Sequence, residues 1–275
     1  MADRPRPYLA LISARYRTLL QYRAAAMAGF ATQLFWGAVK LMILAAFFQQ
    51  AGTRSPMSAS EVACYVWLGQ ALLGLLPWNV DPELQIKIST GAVAYELLRP
   101  LDLYWAWSAR TLALRCANTS LRAVPMVLVC AVILPALGLD EWALGPPPSL
   151  ASAAAFMLSL LATVALATAL TMVLHAGLIH AISGKGFNSM MASVVVVFSG
   201  MLIPLPLFPD WLQPVLYWQP FRGLADVPYR IYVGHIEPSA AVMEIAMQVA
   251  WTALIVVLGR FILARASARL VTQGG

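Results

Sequence analysis

Apolar runs approaching or exceeding the roughly 20 residues that cross a bilayer as a helix recur along this chain, separated by short polar stretches. Barrel strands would instead show short segments of alternating polarity. With no water in the hydrocarbon layer, backbone groups must be satisfied within each segment, which selects helices. The pattern predicts an all-α polytopic membrane protein with six spans, at about 24–48, 61–79, 112–138, 150–181, 188–203 and 239–264. Ahead of them, 5–23 reads as an amphipathic helix. Leu9, Ile12, Tyr16, Leu19 and Leu20 fall at helical spacing, while Arg15, Arg17 and Arg23 supply charge. Such a helix lies in the membrane interface.

Two stretches break the pattern. The first, 80–103, gathers Glu83, Lys87, Glu96, Arg99 and Asp102 between two apolar segments. Glu83 and Lys87 stand at i, i+4, where opposite charges support a helix. Pro100 disfavours helix at Arg99. The stretch therefore predicts a helix over 84–98. One reading makes it a solvated loop whose charges only set topology; against that, Val93, Leu97 and Leu98 are awkward in water. The second stretch, 204–221, carries Pro204, Pro206, Pro209, Pro214 and Pro220, which forbid a continuous helix. Non-helical backbone at membrane depth must be covered by protein or line water. We expect a broken, partly re-entrant pair of short helices here, with Trp211, Leu212, Val215 and Leu216 forming an apolar face.

Composition agrees with a membrane protein. Of 275 residues, 61% are hydrophobic and 11% charged, against roughly 45–50% and 25% in soluble domains. The mean hydropathy is +0.75. The net charge of +6 reads as a topology signal. If the N-terminus, the 80–122 region, the 183–188 loop and the tail share one side, that side holds fourteen of the eighteen Lys and Arg. This places both termini in the cytoplasm. No basic cluster is interleaved with exposed aromatics, so nucleic acid is not an expected partner. The first apolar run exceeds the 7–15 residues of a signal-peptide core, so no cleavable signal is expected.

Little in the chain suggests chemistry of its own. It has no HExxH or GxSxG, and no carboxylate pair placed within a span. The segment "ISGKGF" fails as a phosphate loop: Ile179 stands where the first Gly is required, and Gly186 where Ser or Thr is required. Cys64, Cys116 and Cys130 lack metal or redox spacing. His175 and His180, at i, i+5, read as interfacial histidines. We expect no metal, no cofactor and no catalytic residue. Lys40 lies inside the first span, facing either a cavity for an anionic amphipathic substrate or snorkelling to the outer surface. Trp36 and Trp67 lie at membrane depth, where they line a pathway or simply pack.

Two motifs carry a family resemblance. "STGAVAYELLRPLDLYW" (89–105) is similar to the G-x-L-x-x-x-L-L-x-P inner loop of ABC-2-type ABC exporter permeases, through Gly91, Leu97, Leu98 and Pro100. Val93 stands where that family often has Leu. "FSGMLIPLPLFPDWLQPVLYWQPF" (198–221) is similar to its SG-x-x-x-P…P-x-W-L…P segment, through Ser199, Gly200, Pro204, Pro209, Trp211, Leu212 and Pro220. The order of elements also resembles that family over nearly the whole chain. The resemblance implies one half of a bacterial inner-membrane exporter: two identical or related permeases, embedded in lipid, with two separate ATPase subunits that bind ATP and Mg. It makes 84–98 the coupling helix. Val93, Leu97 and Leu98 would then be buried in the ATPase, with Glu96 and Arg99 at the rim. A self-contained secondary carrier or an integral-membrane enzyme is the rival class. It lacks the facing polar groups or buried acid that it would need.

Overall fold

The computed structural model describes residues 6–51, 57–180 and 184–267; Arg4, Arg54, Arg269 and most of the polar loop at 183–188 fall outside those residues or have no described side chain. Helices and turns make up the fold, with no strand among the described residues. Four helices are long and apolar enough to cross a membrane. They belong to α2 (Arg23–Ala51), α6 (Leu103–Leu128) with its continuation to Ala136, α8 (Leu150–His180) and α12 (Pro238–Ser267). The amphipathic α1 (Arg6–Leu19) lies along α6.

Three elements differ from the sequence expectation, each for a local reason. The expected second span is a 13-residue helix, α3 (Ala59–Ala71), with a 3-10 turn at Leu73–Leu75. A capping box of Ser58 and Glu61 starts it. It stops near Gly74, whose added Cβ would meet Thr119 Oγ1 at 2.7 Å, so chain and helix touch there without side-chain room. At 1.5 Å per residue α3 covers only about 20 Å. Its continuation is tolerated because protein surrounds it: Val62 to Ala71 are all buried. The expected fifth span is α9 (Gly184–Phe198), which ends before Gly200 at φ +85°. The expected helix over 84–98 is two helices, α4 (Pro82–Ser89) and α5 (Val93–Leu97), parted by Gly91 at φ +73°. Only glycine adopts that conformation at little cost.

A third helical turn, α7 (Leu134–Ala136), follows α6 through a π-helical segment at Val129–Ile133. The most extensive helix pair is α8 with α12. Gln248 holds it together from within: its amide donates to Gly223 O at 2.7 Å and to Thr163 Oγ1 at 3.2 Å, and its carbonyl accepts from Ser159 Oγ at 3.0 Å. Small residues let these helices approach closely. Between α9 and α12 the chain runs through short pieces that include α10 (Gln213–Trp218) and α11 (Asp226–Tyr232).

Candidate functional site

At the end of the bundle that carries α1, the α4–α5 hairpin is seated on the body through Leu84 and Val93. Asp81 caps α4, accepting from Glu83 N at 2.9 Å, and Pro82 occupies the first helical turn, where its missing N–H costs nothing. Three sets of contacts fix the hairpin. Beneath α4, the buried Arg115 of α6 donates to Leu76 O at 2.7 Å, Asn79 Oδ1 at 3.0 Å, Asn79 O and Thr171 Oγ1 at 3.2 Å. His175 of α8, also buried, accepts from Asp81 N at 3.0 Å. Arg15 of α1 pairs with both Asp81 and Glu83, while Arg110 of α6 donates to Glu83 at 2.7 Å. Glu83 and Lys87 are therefore not partners of each other: Lys87 reaches across the hairpin to Glu96.

The five expected docking residues divide into two groups. Val93 is fully buried, packed in one cluster with Leu84, Tyr104, Trp107, Met172 and Leu263. Glu96 is 7% exposed and bridges Lys87 and Arg99. These two are internal supports rather than contacts offered to a partner. Partial burial works against the charge of Glu96. The hydrogen bond and charge of Lys87, with Arg99 and Arg110, outweigh it and hold its carboxyl below the usual range. Glu83 is lowered in the same way: burial opposes its charge, and Arg15, Arg110 and Lys87 overcome that. Leu97 and Leu98 point outward, at 47% and 81% exposure, and Arg99 is also exposed. Ile86 and Tyr95 join them. Sequence spacing missed these two, because the turn at Gly91 ends the helical register on which the spacing argument rests.

At the other end, each proline of the broken segment begins or precedes a short helical piece. Pro204 and Pro209 cap 3-10 turns at Leu205–Leu207 and Asp210–Leu212, Pro214 sits in the first turn of α10, and Pro220 opens a turn at Pro220–Leu224. Two glutamines satisfy the carbonyls that these breaks leave open. Gln213 donates to Leu205 O and Phe208 O, both at 2.9 Å, and Gln219 donates to Phe198 O at 2.8 Å. Trp211 stands exposed. The Ser199–Gly200 pair locks the segment to the body. Ser199 O accepts from Asp226 N at 3.0 Å, and a Cβ on Gly200 would meet Tyr65 Oη at 2.4 Å.

Lys40 belongs to this lock. Its ammonium donates to Met201 O, just past Gly200. That answers a backbone carbonyl freed by the end of α9. Trp67 is buried and donates to Trp142 O at 2.6 Å, whereas Trp36 faces outward with its ring edge on Phe35. Arg222 and Arg230 belong to the same part of the chain. They surround the buried Asp226 at i−4 and i+4, and Arg222 also donates to Glu244 at 3.0 Å. The 222/226/230 spacing of alternating sign is the signal that could have revealed this cluster. Burial raises the Asp226 pKa, and Arg230 and Arg222 oppose that rise. Among the described residues, no group of His, Cys, Asp and Glu is placed to hold a metal.

The arrangement thus comprises a membrane-spanning body, a braced apolar tip at one end and a proline-broken segment locked at the other. No curated protein matches the chain. The family model described as ABC-2 family transporter protein matches residues 34–274, a stretch that includes both motifs and all four long helices or most of each. This multi-pass membrane protein belongs to the ABC-2 transporter family, whose permeases work with ABC ATPase subunits.

Proposed function

We propose that the chain is the permease half of an ATP-driven exporter, and that the α4–α5 hairpin is where a separate ATPase docks. The observation that carries this reading is the division of labour within the hairpin. Every charged side chain from Asp81 to Glu96 is tied into the body or across the hairpin, while Ile86, Tyr95, Leu97 and Leu98 are left outside. An exposed apolar group braced this way suits a partner's groove better than water. Bracing also matters mechanically. Arg115 and His175 couple the hairpin to α6 and α8, so a push on the tip would be passed to the spans rather than absorbed in a loose loop.

In this reading α3 and α9, each extended by irregular chain, complete six spans, with both termini in the cytoplasm of a bacterial inner membrane. A second permease copy or a related chain supplies the other half of the pathway, and each half binds one ATPase that holds ATP and Mg. The substrate is amphipathic, lipid-like or natural-product-like. The apolar character of the bundle favours that class over a free polar ion.

Reconstitution tests the energy source. Vesicles containing the chain and its ATPase should move substrate outward only with ATP, and vesicles containing the chain alone should not. Transport by the chain alone, driven by an ion gradient, would establish a secondary carrier instead.

A further inference from the structure

Between α1, α6, α8 and α12 lies an open cleft of about 710 Å³, lined by none of the residues of the Ser199–Asp226 lock or of the docking tip. Its walls are apolar, built from Ile12, Leu112, Leu161, Ala165 and Val256. Thr168 and Thr252 also line it, but their hydroxyls are turned to their own helices, donating to Val164 O at 2.8 Å and Gln248 O at 2.7 Å. Ser108 adds one hydroxyl and most of the remaining wall is hydrocarbon, so the cleft suits an acyl chain. From Arg260 to Thr252 the α12 wall runs eight residues, about 12 Å.

The mouth is different. Tyr8, Tyr104 and Trp105 line it. Arg260, two turns along α12 from Thr252, lies 5.9 Å from the Tyr104 ring and 5.6 Å from the Trp105 ring. Tyr8 Oη accepts from Asp102 N at 3.2 Å, which holds α1 against the start of α6. Asp102 is occupied on both oxygens, accepting from Trp105 N at 3.0 Å and from Arg260 at 3.3 Å. Arg260 spends one donor there and is 45% exposed at its side chain. Its guanidinium has five donors in a planar fork that matches phosphate. Aromatic residues and an interfacial helix mark headgroup level.

We propose that this cleft binds one acyl chain of an anionic phospholipid from the leaflet on the α1 side, with the lipid phosphate on Arg260. The site is a resident-lipid site that ties α1 to α6, α8 and α12, and it does not depend on ATPase docking. Charge complementarity selects the occupant: a hydrocarbon trough with a half-free arginine at its mouth fits an anionic lipid better than a neutral one.

The test uses the full-length chain, purified and delipidated in detergent, with phosphatidylglycerol or phosphatidylcholine added and bound lipid counted by native mass spectrometry. One phosphatidylglycerol should be retained per chain, at least about fivefold more tightly than phosphatidylcholine. Ala165→Trp, which fills the trough, should weaken both at least about tenfold. Arg260→Gln should remove the preference for phosphatidylglycerol, and Val242→Trp, an exposed site elsewhere on α12, should change nothing. As a second readout independent of the trough-filling variant, brominated phosphatidylglycerol should quench a fluorescence component that Trp105→Phe removes. Unchanged lipid retention in folded Ala165→Trp, a preference that survives Arg260→Gln, or quenching insensitive to Trp105→Phe would overturn the proposal. So would disulfide cross-linking of Ala165→Cys to a second copy, which would show that protein covers the cleft.

Discussion

The α4–α5 hairpin and the segment from Ser199 to Asp226 both interrupt apolar helices, yet they differ in how much of their charge reaches the surface. In the hairpin the pairs are mixed: Asp81 and Glu96 are buried, their partners Arg15 and Lys87 are partly exposed, Glu83 and Arg99 are about half exposed, and an apolar tip is left outside. In the other segment the charges turn inward: Asp226 is 1% exposed at its side chain and Arg222 is 6%. The half-exposed members, Glu83 and Arg99, contribute little each and can be remade as the hairpin meets a partner. A buried cluster holds one geometry, because removing one member strands the rest. The first region thus presents an apolar tip on a braced base, and the second holds a packed, ion-paired geometry.

The sharpest way to break this comparison is Asp226→Ala. It would leave Arg222 and Arg230 facing each other without their shared acid, and breaking a buried pair costs about 3–5 kcal/mol. We expect a large fall in thermal stability of the purified chain; a melting temperature near that of the parent would mean that the cluster is solvated. Next is Arg115→Gln at the base of the hairpin. It removes most of the bonds to Leu76, Asn79 and Thr171, and each buried acceptor left unmet costs about 1–3 kcal/mol. Hydrogen exchange should rise over 72–89 while the outer segment stays protected. Equal loosening at both ends would deny that they are separately braced.

Val93→Ala and Leu98→Ala sharpen the contrast within the hairpin itself. Val93 is buried, so its truncation should cost about 2 kcal/mol of stability through lost burial and a small cavity. Leu98 is exposed, and its truncation should leave stability within about 0.5 kcal/mol. The smallest effect is on pH. The carboxyls of Glu83 and Glu96 sit below the usual glutamate range in the folded protein. Their contribution is therefore present above the ordinary value of about 4.3 and is lost as pH falls through the lowered folded values. Exchange in the hairpin should accelerate only in that acidic window. Acceleration near neutral pH would point to another group.

Much of the fold could be read from hydrophobic pattern alone. The uninterrupted apolar run in α8 needs no tertiary information, and the prolines of 204–221 announce a broken chain. Other features depended on distant partners. Val93 and Leu97 look alike in sequence, but Trp107, Met172 and Leu263 decide that Val93 is inside, and those residues come from three other helices. Likewise Glu83 stands at the right spacing for Lys87, yet Arg15 and Arg110 capture it from other elements. Gly91 and Gly200 were visible as family motif positions. Their positive φ, which ends one helix and splits another, was not. Lys40 shows the same limit: its spacing placed it in a span, but only the end of α9 explains what its ammonium answers.

The central claim is that the exposed apolar tip, and not the buried residues beside it, holds the ATPase. The most direct measurement is the amount of ATPase recovered per permease in detergent for Leu97→Ala with Leu98→Ala, compared with the parent chain and with a folded Arg99→Ala control. Truncating central apolar anchors commonly costs about 2 kcal/mol or more, close to a thirtyfold loss of affinity, whereas rim charges matter less. We predict that the double variant stays folded and loses most of its ATPase, that Arg99→Ala loses much less, and that transport in vesicles falls in step with assembly. A folded double variant that retains its ATPase and still transports would contradict the account.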